Sequence, residues 1–196
     1  MAQTSTTLLA SKSHITTPTA STIISFAKTG TEYKISSSNT GTTSFGAYSQ
    51  FDLITITGAS NSGNNKTFTV KSVSADDDFI IVEEEVTTES AGQSITLDHT
   101  GFVSDKSKGD GYYSHPDGVH TVAYQVNSTM TGAIKIQGSL ATTPTEDDWF
   151  DVSGSTFTAD QSTLIGTANF TGNFVWVRAK ATSVTAGTIS SVLLNN

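Results

Sequence analysis

Cysteine is absent, so neither a disulfide nor a thiolate-held metal can stabilise this chain, and no redox compartment can be read from it. Charge is scarce: 14% of residues are charged, and 10 Lys and Arg stand against 18 Asp and Glu, a formal net charge of -8. Binding a phosphate backbone requires the opposite balance, because cations must displace its counterions, so nucleic acid is excluded as a partner. No run of about 18 apolar residues occurs, which argues against a membrane-spanning helix and a membrane partner. The opening stretch MAQTSTTLLASKSHITTPTAS lacks the basic start and apolar core of an export signal. A G-x-S-x-G elbow, a P-loop and an H-E-x-x-H pair are missing too, so neither catalysis nor a cofactor is expected.

What is there is Ser, Thr, Asn and Gly set between short apolar segments, the composition of strands and tight turns. Residues 1–20 have only Leu8, Leu9 and Ile15 as apolar anchors and read as an extended arm, either a loose tail or an arm that orders against a neighbouring subunit. From residue 21 the segments STIISFA, EYKIS, FDLITITG, KTFTVKSV, DFIIVEE and QSITL follow one another, separated by turn-formers such as NSGNN and ADDD. Ile54 and Ile56 alternate with Thr55 and Thr57, and Phe68 and Val70 with Thr67, Thr69 and Lys71, the pattern of half-buried strands. Residues 21–98 therefore read as a small β-barrel. Residues 99–111 turn polar and Gly-bearing and read as a linker.

Residues 112–196 read as a β-sandwich, jelly-roll-like, giving an all-β protein. In GAIKIQGSLA, Ile134, Ile136 and Leu140 alternate with Lys135, Gln137 and Ser139. The closing stretch NFVWVRAKATSVTAGTISSVLL reads as a hairpin. Its first strand places Phe174, Trp176 and Arg178 on one face and Val175, Val177 and Ala179 on the other. Both faces begin apolar, so that strand is expected at the centre of the sandwich with Trp176 in the core.

Four constellations invite a chemical reading. Glu146, Asp147 and Asp148 are candidate calcium ligands, with Asp110 or Asp117 from a nearby loop, or else the solvated acids of a turn after Pro144. His115-Pro116-Asp117-Gly118-Val119-His120 offers two imidazoles to a metal, or simply a Pro-Asp-Gly turn. Asp76-Asp77-Asp78 and Glu83-Glu84-Glu85 flank an apolar strand as gatekeepers, or as paired carboxylates for glycoside chemistry. Tyr112, Tyr113 and Trp149 are candidates for a sugar-stacking surface, because an aromatic face offers an apolar plane with a polar rim.

Two resemblances add a setting. The run GAYSQFDLITITGASNSGNNKTFTVKSVSADDDFIIVEEEVTTESAGQSITL resembles a small β-barrel module of tailed-bacteriophage structural proteins. GDGYYSHPDGVHTVAYQV, KIQGSLATTPTEDDWFDV and FTGNFVWVRAKATSVTAGTISSVLLNN together resemble a domain of structural proteins from tailed phages of marine bacteria, cyanophages among them. The resemblance implies a virion component, assembled in the host cytoplasm, that is homo-oligomeric in the particle and binds the major capsid protein or neck and tail proteins. A capsid decoration or cement role is expected first, and a neck, baseplate or tail-fibre role second. The alternative is a carbohydrate-binding module that meets host glycans on the particle surface.

Overall fold

The computed structural model describes residues 5–16, 19–37, 45–113 and 118–195. The chain is all-β and divides into two compact units. One is Ile15–Thr100; the other joins Met1–His14 to Gly101–Asn196. The expected boundaries therefore shift. The N-terminal segment is no free arm: β1 (Ser5–Leu9) and β2 (Lys12–Ser13) belong to the second unit.

The first unit contains β3 (Thr19–Ser21), β4 (Ile24–Thr29), β5 (Glu32–Ser37), β6 (Asp52–Thr57), β7 (Thr67–Val73), β8 (Phe79–Val82) and most of β9 (Ile95–Val103). The pairing order is β9-β6-β7-β8-β5-β4. It returns to its start, because β3, the bent forward end of β4, pairs Thr19↔Leu97 and Ser21↔Ile95 with β9. This closure makes the unit a small barrel. Its inside holds the alternating residues, Ile54 and Ile56 from β6 and Phe68 and Val70 from β7, with Phe26, Ile35 and Ile80. The Asn-rich turn is anchored as well as bent. Asn64 is fully buried, donating to Thr87 O (2.8 Å) and Glu89 Oε2 (3.0 Å) and accepting from Thr87 N (2.8 Å). Glu89 also accepts from the backbone of Ser60 and Asn61.

Burial pushes the Glu89 carboxyl up, but the bonds from Asn61, Ser60 and Asn64 outweigh it and hold the pKa below its ordinary value of 4.5. A depressed folded-state pKa means that the carboxylate's stabilisation is complete above the unfolded value and is lost as pH falls through the folded one. Glu89→Gln should flatten the acid limb of the barrel's stability curve below pH 4.5, measured by denaturant melts at stepped pH. An unchanged acid limb would mean that other carboxylates set it. The flanking acids of β8 are also engaged: Glu84 accepts from Thr69 N and Oγ1 at 2.7 and 2.8 Å, and Glu83 and Glu85 face Lys71 and Lys28.

The second unit adds β10 (Ser107–Lys108), β11 (Val119–Val126), β12 (Thr131–Ser139), β13 (Phe150–Asp151), β14 (Phe157–Asp160), β15 (Ile165–Thr171), β16 (Trp176–Ala186) and β17 (Thr188–Asn195). One sheet runs β1-β17-β11-β15, with β2 also on β17. The second sheet has β12 flanked on one side by β13 and β14 and on the other by β16, whose far edge takes β10 and the last residues of β9. Strict alternation in β11 sends His120, Val122, Tyr124 and Val126 inward. They meet Ile134, Ile136, Val177, Ala179 and Ala181 of the second sheet, as in a β-sandwich core.

Three expectations change here. The segment 99–111 is not a linker: Ser104 N bonds Ala179 O, Gly109 N bonds Val175 O, and β10 pairs with β16, so its polar composition reflects an edge strand. β16 and β17 do not form a hairpin. Gly187, at φ 86° and too close to the Met130 backbone to tolerate a Cβ, turns the chain from one sheet into the other. Leu140 lies beyond the end of β12 and is 64% exposed, so the alternation that buries Ile134 and Ile136 stops short of it.

Candidate functional site

The outer face of the second sheet gathers most of the unusual side chains of the second unit. β16 begins at Trp176, and from there Val177, Ala179 and Ala181 point into the core while Trp176, Arg178 and Lys180 point out. Trp176 is thus half-buried on the outer face and not a core residue. Phe174, which precedes the strand in an irregular segment, is buried because the chain bends at Val175 before alternation starts. Cross-strand registers extend the face: Lys135↔Lys180, Gln137↔Arg178 and Lys108↔Trp176 are directly opposed.

At one end lies an aromatic row. Tyr113 and Tyr112 have ring centroids 5.2 Å apart, and Tyr112 and Trp176 5.1 Å, with interplanar angles of 74° and 57°. The rings form a corrugated surface, and Tyr112 and Tyr113 are 44% and 55% exposed. The Trp176 indole is fixed by its Nε1–H, which donates to Thr142 O at 3.0 Å. Lys106 Nζ lies 4.9 Å from the Trp176 ring centroid and Lys108 Nζ 4.2 Å from that of Tyr112. Such contacts contribute roughly 0.5–1 kcal/mol each at exposed sites.

The other end is a charge network. Arg178 is buried and makes a bidentate pair with Glu146, Nη1 to Oε1 at 2.7 Å and Nη2 to Oε2 at 2.8 Å. Its Nε donates to Gln137 Oε1 (3.0 Å), and its guanidinium lies 4.3 Å from the Trp149 ring centroid. Asp151 accepts from Gln137 Nε2 (2.9 Å) and from Lys135 Nζ. Burial raises the Asp151 carboxyl, but these bonds prevail and hold it below the usual carboxylate range. Burial, with the Arg178 charge next in weight, depresses the Lys180 ammonium.

The structure thus brings the aromatic candidates Tyr112 and Tyr113 to Trp176, which had been placed in the core, whereas Trp149 packs on Arg178 at the other end of the face. The structure gives the acidic triplet other work. Glu146 has both oxygens on Arg178, and Asp148 closes a capping box, its Oδ2 accepting from Thr145 N and Oγ1 at 2.7 Å each. Those bonds lower the Asp148 pKa. Asp147 is exposed. Among the described residues, no group of three His, Asp or Glu side chains is arranged to hold a metal. His115, Pro116 and Asp117 lie outside the described residues. His120 is buried between Phe170 and Phe174, its Nε2–H donating to Gly172 O at 2.9 Å, and Asp110 is buried 4.0 Å from it.

The tryptophan assignment has a direct optical test. In Trp149→Phe the sole remaining tryptophan is Trp176, and its emission should be red of a core indole and quenched by iodide, whose approach Lys106 favours. Blue-shifted, shielded emission would return Trp176 to the core. Trp176→Ala should likewise cost well under the roughly 3–5 kcal/mol of a core tryptophan.

No family model matches this chain, and neither does any curated protein sequence. Among solved structures, the K1 cleaved adhesin domain of Lys-gingipain from Porphyromonas gingivalis W83 aligns with it at a TM-score of 0.31 and 10% identity, over 91% of this chain and 97% of the other.

Proposed function

We propose that this chain is a non-enzymatic binding protein whose second unit recognises carbohydrate through the outer face of its second sheet. Trp176 carries this reading: an indole that core packing would have hidden instead stands in a row with two exposed tyrosines, and sugar rings stack on such surfaces. The setting is a tailed-phage particle, a reading supported by the sequence resemblance alone. Within that setting, glycan binding ranks ahead of capsid decoration, because the segment that might have reached a neighbouring subunit is engaged in β1 and β2 of its own chain. Decoration, neck, baseplate and fibre roles remain the second reading, resting on the same resemblance.

A glycan array probed with the full chain should give selective binding, weakened about tenfold or more by Trp176→Ala. Binding that survives Trp176→Ala and Tyr112→Ala together would remove this face from consideration. The setting is tested by copy number per virion: hundreds would favour the capsid, six or twelve the neck or baseplate, and none would overturn it.

A further inference from the structure

The first sheet of the second unit ends on β15, and among the described residues no strand pairs with its far side. Two backbone bonds bracket its pairing with β11, Val126 N to Leu164 O at 2.9 Å and Gly172 N to Gly118 O at 2.8 Å. Bonded and unbonded residues alternate in an antiparallel ladder, so Gly166, Ala168 and Phe170 direct their N–H and C=O groups to β11. Those of Ile165, Thr167, Asn169 and Thr171 point the other way, to the open edge, and all four side chains are exposed.

An open edge is ordinarily blunted by a charge, a proline or a bulge. β13 and β14 carry Asp151 and Asp160, and β1 is interrupted by a bulge between Thr7 and Leu9. β15 has none of these. Its seven pairs with β11 run without a shift in register, and no charged residue or proline occurs between Asp160 and Arg178.

We propose that this edge is a seam between two copies of the chain, β15 pairing antiparallel with β15 of the second copy about a two-fold axis at Ala168. That axis sets Thr167 opposite Asn169, and Ile165 opposite Thr171, of the second copy, so each outward-facing residue meets another. An axis on Thr167 or Asn169 would leave one of the four opposite a residue beyond the strand. On the buried side, Phe170 stands opposite Gly166 of the second copy, the largest side chain against none, and Ala168 meets its own counterpart in the close, unbonded pairing that a small residue suits. On the outer side, Ile165 and Val119, 64% and 56% exposed, lie at opposite ends of the β11–β15 pair. The two-fold puts Ile165 and Val119 of the second copy in one row, flanking Thr171 of the second copy. A foreign strand could satisfy the backbone, but the size match and the apolar row both come from this sequence paired with itself. Copies that each carry a net charge of -8 repel, and an uncharged seam is where that repulsion is least felt.

A single strand pair is a small interface, so sedimentation velocity on the full chain should show a monomer–dimer equilibrium with a Kd of roughly 1–100 μM. Thr167→Lys/Asn169→Lys sets like charges directly opposite one another and should weaken the dimer at least about tenfold, while the melting midpoint of the dilute protein stays put because both side chains are exposed. Thr167→Lys/Asn169→Glu, which sets opposite charges there, should restore it. The chain has no cysteine, so Thr167→Cys and Asn169→Cys each supply a single thiol, and the two variants mixed and oxidised should cross-link faster than either alone. Trp176→Ala, in the other sheet, should leave the dimer unchanged, which separates the seam from glycan binding. A monomer at every concentration overturns the seam. A dimer that the paired lysines leave intact also overturns it, since the contact would then be a different one, such as exchange of β1. Weakening by the paired lysines without recovery in the Lys and Glu pair, or self-cross-linking of one cysteine variant as fast as the mixture, overturns the register about Ala168.

Discussion

Phe174→Ala is expected to destabilise the sandwich by roughly 3–5 kcal/mol, the range for large aromatic truncations in packed cores. The ring is buried beside His120, Phe150 and Phe170, at centroid distances of 5.8, 5.9 and 6.2 Å. It also fits against two glycines: a Cβ at Gly138 would stand 2.6 Å from the ring, and one at Gly172 2.3 Å. Backbone that close cannot collapse into the vacated space, so the cavity should persist and the cost should fall at the high end. Because whole domains are stable by only about 5–15 kcal/mol, the variant should show a large drop in its urea midpoint for the second unit. A loss under about 1 kcal/mol would mean that the site refills. Gly138→Ala, which overpacks the same pocket, should cost about 1–3 kcal/mol by the opposite route.

Glu146→Ala should be the most damaging of the acidic substitutions. It strips the bidentate partner from a guanidinium that is only 4% exposed. An uncompensated buried charge costs about 3–5 kcal/mol, and since the Glu146 side chain is itself 31% exposed, the expected loss is near the lower figure. Asp147→Ala should have little effect. The double variant Glu146→Leu/Arg178→Met should recover much of the loss, because removing both charges leaves nothing to solvate. Added calcium should move neither the wild-type midpoint nor that of Glu146→Ala. A calcium-dependent rise in the wild type alone would restore the acidic triplet as a metal site.

Strand periodicity made the barrel legible. Ile54, Ile56, Phe68 and Val70 are inside as their alternation requires, and the apolar segments from residue 21 onward all became strands. Barrel closure was not legible, since it depends on the bend between Ser21 and Ile24 that lets one stretch of chain pair on both sides. The faces of β16 were misread from a single starting point. Counting from Phe174 puts Trp176 with a core phenylalanine, whereas counting forward puts it with Arg178 and Lys180, opposite Val177, Ala179 and Ala181. The second count held the signal, because a charged pair continuing on the tryptophan's side marks the wet face. The aromatic row was half legible. Tyr112, Tyr113 and Trp149 stood out by type, but Tyr112 meets Trp176 only through the pairing of β10 with β16, a contact across more than sixty positions that no local pattern encodes.

The placement of β1 bears on how the protein is made. Thr6 pairs with Leu194 and Thr7 with Leu193, and the whole barrel sequence lies between those partners. During synthesis the barrel has every strand it needs once residue 100 has left the ribosome. Leu8 and Leu9, which precede the barrel, must wait for β17 before they are covered. Until β17 is made, the nascent chain therefore carries an unsatisfied apolar strand ahead of a barrel that is already complete. Long-range pairing of this kind is slow to form and open to capture by other chains in the meantime. Crowded expression should accordingly favour exchange of β1 between copies, and slower, cooler production should favour the monomeric arrangement in which each chain covers its own first strand.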